Sequence, residues 1–200
     1  FKKDMETAKF AHGQARSEEG LSEVPGIVWG LSPVGTAVVA LTHGEAYYRA
    51  GDLENASKKA KEAEANLKKV DPSYTVRAEL AKVHLLKGRV ALAGGDIATA
   101  DKLLRSASSK TAGHHSYHAG VAVDAAIQHR QWDLADQMLL LYEKASYQKG
   151  GKKLTGKKLK EAKADDYDRF LRKMKIALGR GEDAKDNKAK QRYGAEILDE

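Results

Sequence analysis

Two segments of this chain are variants of one pattern: GEAYYRAGDLENASKKAKEA at residues 44–63 and GRVALAGGDIATADKLLRSA at residues 88–107. The two copies lie 44 residues apart (88 minus 44), and 6 of their 20 aligned positions are identical. The identical pairs are Gly44/Gly88, Gly51/Gly95, Asp52/Asp96, Ala56/Ala100, Lys58/Lys102 and Ala63/Ala107. Small residues at helical spacing around a Gly-Asp turn let two helices cross closely, and a repeated crossing predicts a stacked array of helices.

The composition agrees with this prediction. Only three of the 200 residues are proline, so long helices can run uninterrupted, and a mean hydropathy of -0.58 suits a chain in contact with water. The length suits one core or one short solenoid. The absence of cysteine excludes disulfides, thiolate metal sites and a cysteine nucleophile. We therefore expect one all-α unit.

Start and stop signals define the first helix pair. Ser32 has the character of an N-cap, and Pro33 presets the backbone at the first helical position. Gly51 supplies a left-handed residue that ends this helix. Asp52 then caps the next helix, which we expect over about residues 53–70.

Similar signals predict two further pairs. Asp71-Pro72 repeats the start signal for a helix to about Ala93, and Asp96 opens a shorter helix. In the third pair Trp132 aligns with Leu53 and Ile97, although Arg130-Gln131 replaces the Gly-Asp turn. The predicted organisation has four parts. Residues 1–31 form an N-terminal helix (about 2–19) and a connector, and residues 32–148 form three helix pairs, at about 33–70, 72–108 and 117–147. Residues 149–178 form a lysine-rich loop and a capping helix (about 157–178), and residues 179–200 form a charged, partly disordered tail.

The repeated pattern resembles the tetratricopeptide repeat. The matching residues are Gly44, Tyr47, Gly51, Asp52, Ala56, Ala63 and Pro72 in the first copy, and Gly88, Gly95, Asp96, Ala100 and Ala107 in the second. The spacing of 44 residues exceeds the usual 34 of that family. The resemblance implies antiparallel helix pairs stacked as a short right-handed α-solenoid, with a concave groove lined by the first helix of each pair.

Carried over by position, the resemblance assigns eleven residues to this groove. They are Leu41, Glu45, Tyr48 and Arg49 in the first pair, Leu85, Arg89 and Leu92 in the second, and Tyr117, Asp124, Ile127 and Gln128 in the third. For the apolar positions, burial between helices is an equal alternative. For the charged positions, the alternative is a solvated ion pair at the surface that binds no partner protein.

The implied function is a non-enzymatic scaffold or adaptor that binds a peptide or a partner protein, with self-association as a variant. We expect no cofactor and no catalytic residue, because no zinc-protease motif, nucleophile elbow or dinucleotide fingerprint occurs in the sequence. The chain begins at Phe1, so we expect an initiating segment to have been removed. The compartment stays open between bacterial periplasm or envelope and cytoplasm.

A cluster of positive charge supports an alternative function. Residues 149–163 hold seven lysines and one acidic residue, so the segment carries 7 minus 1, or +6, of the formal net charge of +7. The lysines are Lys149, Lys152, Lys153, Lys157, Lys158, Lys160 and Lys163. The alternative is therefore an electrostatic binder of nucleic acid or anionic membrane.

Histidines form the only candidate metal site in the sequence. His114 and His118 have the i,i+4 spacing that can place two imidazoles on one helix face. Asp124 is the nearest acidic residue in sequence and does not complete the set. We therefore expect a histidine cluster at the surface or at a helix start, and no metal.

Overall fold

The structure is a computed structural model that describes residues 32–109, 115–149, 152–164, 166–184 and 192. Within these residues the protein is all-α, with eight helices and one two-stranded ribbon. The helices are α1 (Pro33–Arg49), α2 (Leu53–Leu67), α3 (Tyr74–Ala93), α4 (Ile97–Ala107), α5 (His115–Gln128), α6 (Trp132–Ser146), α7 (Gly156–Ala164) and α8 (Tyr167–Asp183). The ribbon pairs β1 (Gln148–Lys149) with β2 (Lys152–Lys153) in antiparallel register. The predicted N-terminal helix lies outside the described residues.

The chain divides into two compact units. The first contains α1 to α4, in which α1 packs against α2 and α3, and α4 packs against α3. The second contains α5 to α8 and the ribbon, with α5 packed against α6 and α8 packed against both. Each unit therefore contains at least one pair of consecutive helices joined by a short turn.

The turns of the first two pairs confirm the start and stop signals in the sequence. Gly51 and Gly95 adopt left-handed backbone angles, with φ of 74° and 82°, which glycine reaches without steric cost. Asp52 accepts a hydrogen bond from the amide of Asn55 at 3.0 Å. Asp96 caps α4 in the same way. Ser32 caps α1, with Pro33 at the first helical position, as predicted.

The third pair has the same backbone turn without glycine or aspartate. Arg130 occupies the position of Gly51 and Gly95 and is left-handed, with φ of 54°. The equivalent backbone hydrogen bonds run from Asp52 N to Tyr47 O at 3.0 Å, from Asp96 N to Ala91 O at 2.9 Å, and from Gln131 N to Ala126 O at 2.9 Å. The turn geometry therefore repeats three times although its sequence signature appears only twice.

Missing side chains allow the helices of the first two pairs to approach each other closely. A Cβ atom at Gly44 in α1 would lie 3.4 Å from the Cβ of Lys59 in α2. A Cβ atom at Gly88 in α3 would lie 3.4 Å from the Cβ of Leu103 in α4. Lys59 and Leu103 are also 44 residues apart, so both pairs cross at the same point of the repeat.

Small residues are buried at equivalent positions of the second helices. Ala56 in α2, Ala100 in α4 and Ala135 in α6 occupy equivalent positions, and each has 0% of its surface exposed. The core of the first unit continues from there through Ala37, Ala40, Leu41, Ala60, Ala63, Leu67, Val76, Val83 and Leu86. Burial of this apolar surface provides the main favourable free energy of packing.

Three predicted helix boundaries are wrong. α2 ends at Leu67 instead of about Val70, and α3 begins at Tyr74, because Ser73 and not Asp71-Pro72 provides the N-cap. The Ser73 hydroxyl accepts a hydrogen bond from the amide of Val76 at 3.2 Å. In the second unit, α5 begins at His115, two residues before the expected start at about 117.

The prediction of one capping helix over about 157–178 is also wrong. Two helices occupy this region, and Asp166 caps the second by accepting a hydrogen bond from the amide of Arg169 at 2.9 Å. This second helix, α8, continues to Asp183 and so extends into the segment predicted as tail. The rest of that tail, except Arg192, lies outside the described residues.

The third turn lacks the side-chain cap of the other two and should gain stability when the cap is restored. Gln131 has N-cap angles (φ -93°, ψ 73°) close to those of Asp52 (φ -84°, ψ 79°), but its side chain makes no capping hydrogen bond. We predict that Gln131→Asp raises the free energy of unfolding by about 1 kcal/mol. Urea denaturation measures the change.

Asp96→Ala is the matched control and should lower the free energy of unfolding by a similar amount, because it removes an existing cap. A Gln131→Asp variant that is no more stable than the parent, beside a clear loss in Asp96→Ala, would show that the third turn does not have the geometry of the other two.

Candidate interaction surface

An ion pair joins equivalent positions of α1 and α3. Nη1 of Arg89 donates to both carboxylate oxygens of Glu45, at 2.8 Å each. The guanidinium carbon lies 4.3 Å from the centre of the Tyr48 ring, a cation-π contact. Because Glu45 and Arg89 are 44 residues apart, the contact links one position of the repeat to the same position in the next copy.

The other predicted groove residues of the first unit divide by burial. Leu41, Leu85 and Leu92 are buried. These three positions therefore belong to the core, which was the alternative interpretation. Tyr48 is half-buried and packs against the core of the unit. Arg49, the last residue of α1, is exposed and makes no ion pair with the described part of the chain.

The same repeat position carries an ion pair in the second unit. Glu45, Arg89 and Asp124 each lie eight residues before the next helix begins (53 minus 45, 97 minus 89, 132 minus 124). Arg172 of α8 contacts Asp124 through two hydrogen bonds, from Nε to Oδ1 at 3.0 Å and from Nη2 to Oδ2 at 2.9 Å. Hydrogen bonding to this carboxylate raises the pKa of Arg172.

Close packing supports this second pair. The guanidinium carbon of Arg172 lies 4.9 Å from the centre of the Tyr142 ring. A Cβ atom at Gly120 would lie 2.9 Å from Nη2 of Arg172, so a larger residue at position 120 would displace the guanidinium group. Both predicted acidic groove positions, Glu45 and Asp124, are therefore bound to arginines of the same chain.

The remaining candidates of α5 lie at its two ends. Tyr117 has 67% of its surface exposed, and its ring meets His118 edge to face at 5.7 Å between centroids. Gln128 is exposed and Ile127 is half-buried. Of the eleven predicted groove residues, Arg49, Tyr117 and Gln128 are thus exposed without an ion pair to the described part of the chain.

A polar cluster that was not predicted holds α6 to the end of α7 and the start of α8. The Asp166 carboxylate accepts hydrogen bonds from the hydroxyls of Tyr142, at 3.2 Å, and Tyr147, at 3.0 Å. Burial, followed by these interactions with Asp166, raises the pKa of Tyr147. Glu143 accepts hydrogen bonds from Arg169 and Lys163. The one signal of this cluster in the sequence is Asp166, a residue type that favours the N-cap of a helix.

The candidate metal residues do not form a site in the described residues. His118 is 1% exposed and has partners, whereas His114 lies outside the described residues. The described part of the chain contains no group of three or more histidine or carboxylate side chains placed to hold an ion.

One arrangement of catalytic residue types occurs that the sequence did not reveal. The Ser106 hydroxyl lies 2.8 Å from Nδ1 of His84, and burial lowers the pKa of this histidine. Activation of a serine by histidine requires a third group that orients the ring. No carboxylate of the described residues hydrogen-bonds to His84, so the pair lacks that group.

Most of the predicted basic patch is exposed. Lys153, Lys157, Lys158 and Lys160 are exposed, and Lys149 and Lys152 belong to the ribbon. Nζ of Lys163 lies 3.3 Å from Oε2 of Glu143, so Lys163 belongs to the polar cluster. No described helix is long and apolar enough to cross a membrane.

Comparison with protein-family models, with curated proteins and with solved structures found no match to this chain.

The contact between Glu45 and Arg89 should contribute measurably to stability. Only 17% of the Arg89 side chain is exposed, so water screens the pair less than it screens an open surface pair. In a double-mutant cycle of Glu45→Gln and Arg89→Met, we predict a coupling free energy of about 1 kcal/mol from urea denaturation.

The control cycle uses Asp101 and Arg105, an i,i+4 pair within α4 whose side chains are 37% and 43% exposed. Its coupling should be about 0.3–0.5 kcal/mol. Equal coupling free energies in the two cycles would mean that the Glu45–Arg89 pair contributes no more to stability than an ordinary surface ion pair.

Proposed function

We propose that this protein is a non-enzymatic scaffold or adaptor that holds a peptide or a partner protein against the first helices of its helix pairs. In this proposal the pairs are antiparallel and stack as a short right-handed α-solenoid, as the resemblance to tetratricopeptide repeats implies. The helix α8 then covers the last pair, since terminal repeats of such arrays need a cap.

The observation that carries the proposal is the Glu45–Arg89 contact between equivalent positions. A repeat array brings the same position of successive copies together, and the first helices α1 and α3 meet in this way in the first unit. Two adjacent first helices offer a surface wider than either helix alone. Such surfaces are what repeat proteins use to bind their partners.

The structure changes which residues are proposed to contact the partner. Glu45, Arg89 and Asp124 are held in ion pairs within the chain, so their proposed role is to fix the helices that present the surface. Arg49 and Tyr117 are the proposed contacts, since both are exposed. Arginine and tyrosine combine wide apolar contact with directed hydrogen bonds, and they dominate the binding energy of many interfaces.

Photo-crosslinking tests the proposal. A photoreactive amino acid is placed at position 49 or 117 in cells that make the protein, and the adducts are identified by mass spectrometry. We predict one discrete protein adduct at these positions, or an adduct of two copies of this chain if the protein self-associates. The identified partner, once purified, should bind the Arg49→Ala variant at least tenfold more weakly than the parent.

Positions 61 and 102 are the matched controls, because Lys61 and Lys102 are exposed but lie on α2 and α4, the second helices of their pairs. Adducts of equal yield at the control positions, or unchanged binding by Arg49→Ala, would contradict the assignment of the binding surface to the first helices. Arg49→Ala is preferred to Tyr48→Ala, since loss of the half-buried Tyr48 ring would also disturb the core.

A further inference from the structure

Ion pairs hold the helix α8 against α5 and α6. Arg172 of α8 binds Asp124 of α5. Eight residues later in α8, Nη2 of Arg180 lies 2.8 Å from Asp133 and Nη1 lies 2.5 Å from Asp136, both in α6. Two arginines of one helix thus reach carboxylates on both of the helices that α8 covers.

Few apolar side chains of α8 are buried. They are Ile176 and Ala177, beside the buried Arg169 and Gly179. In α3, which packs against two helices of the first unit, six apolar side chains are buried, namely Val76, Ala81, Val83, Leu85, Leu86 and Leu92. The helix α7, which precedes α8, has no buried residue. The attachment of α8 therefore depends more on its ion pairs than the packing of α3 does.

Two residues that depart from the repeat bind the C-terminal end of α8. Arg130 stands at the position of the turn glycines, and Trp132 stands where the first two pairs have leucine or isoleucine. The guanidinium group of Arg130 donates to the Asp183 carboxylate, and Nε1 of Trp132 donates to Oδ2 of Asp183 at 2.6 Å. Hydrogen bonding to Arg130 lowers the pKa of Asp183. The third turn therefore provides a binding site for the end of α8.

The geometry of this site is demanding for both partners. Arg130 has a φ of 54°, a left-handed angle that residues other than glycine adopt rarely. The Trp132 ring lies against the backbone of α8 at Gly179, where an added Cβ atom would lie 2.5 Å from Cζ2 of the ring. The contacts with α8 offset the cost of placing arginine at the turn, and they require glycine at position 179.

Other features of the docked helix oppose its attachment. Nη1 of Arg172 is buried and has no hydrogen-bond partner among the described residues, and a buried donor without a partner is costly. The side chains of Asp133 and Glu182 are 95% and 72% exposed, so dissolved ions screen their pairs with Arg180 and Arg130. Salt does not weaken the apolar packing of α5 on α6 in this way.

We propose that α8 is a strap that opens from α5 and α6 as a unit while those two helices stay folded, and that rising ionic strength promotes the opening. Proteins open locally in such cooperative units where few apolar contacts hold an element. Opening uncovers Asp124, a position of the predicted groove on the first helix α5. Control of partner access to that position rests on the proposed function, whereas the opening itself does not.

Hydrogen exchange of the full chain, followed by mass spectrometry without any partner, tests the opening. An isolated helix of 17 residues is marginal in water, so the amides of α8 exchange when the strap opens. We expect them to exchange at least about tenfold faster than the buried amides of α5 and α6. Between about 50 mM and about 500 mM salt, exchange in α8 should rise at least about threefold, with no change in α5 and α6.

Two variants test the site that binds the end of α8. Arg130→Gly restores the residue of the other two turns and removes the bond to Asp183, so exchange in α8 should rise at least about threefold. Gly179→Ala places a Cβ atom against the Trp132 ring and should raise it at least about tenfold. Because alanine favours the helix more than glycine does, this rise would not come from a weaker helix.

Lys175→Gln is the control, since Lys175 is exposed on α8, and it should leave exchange unchanged. Exchange of α8 at the rate of α5 and α6 at every salt concentration would overturn the proposal, because the three helices would then open together. Equal acceleration of all three helices in the two variants, or no acceleration in either, would overturn it as well. None of these outcomes bears on crosslinking at positions 49 and 117, so the proposed function is tested separately.

Discussion

The close crossing of helices beside a tight turn is the constraint on which the rest of the first unit depends. Gly44 and Gly88 each lack a Cβ atom where their helices approach Lys59 and Leu103, and Ala56 lies beside Gly44. Neither crossing tolerates a bulky residue without displacement of a neighbouring side chain or helix. Once the crossings are fixed, the order of α1 to α4 along the chain brings α1 against α3.

The packing of the helices also determines which charged side chains form ion pairs within the chain. Contact between equivalent positions brings Glu45 to Arg89, and the second unit repeats the arrangement with Asp124 and Arg172. These pairs satisfy charged groups that would otherwise be partly desolvated between helices. Residues 149–163 hold seven lysines and one acidic residue, so nearly all of the net positive charge lies in this stretch of the sequence.

Local signals in the sequence predicted the helices well where the deciding contact is local. Ser32, Asp52 and Asp96 bond to amides three residues ahead, and Gly51 and Gly95 adopt an angle that glycine reaches without steric cost, so neighbouring residues were sufficient. The start of α3 was misplaced because Asp71 and Ser73 are both residue types that favour the N-cap position. The break before α8 was missed although Asp166 caps it locally, by accepting a hydrogen bond from the amide of Arg169. The further bonds that this carboxylate accepts from Tyr142 and Tyr147 are long-range, and no local pattern reveals them.

The candidate surface was less predictable than the fold. Helical periodicity places Leu85 and Leu92 on a face of α3 but does not say whether that face meets solvent or another helix, and the structure buries both. The ion pairs of Arg89 and Arg172 depend on residues 44 and 48 positions away, which no local pattern reveals. Exposure of Arg49 and Tyr117 likewise became known only once the neighbouring helices were placed.

Nuclear Overhauser contacts between the repeat glycines and leucine methyl groups test the close packing of α1 on α3 and of α3 on α4. A Cβ atom at Gly44 would lie 2.6 Å from Cδ2 of Leu86, and one at Gly88 would lie 2.8 Å from Cδ2 of Leu104. In a sample with labelled leucine methyls, we predict strong contacts from the α-protons of Gly44 to Leu86 and of Gly88 to Leu104. Assigned resonances for all four residues with neither contact present would contradict the close packing of α1 on α3 and of α3 on α4.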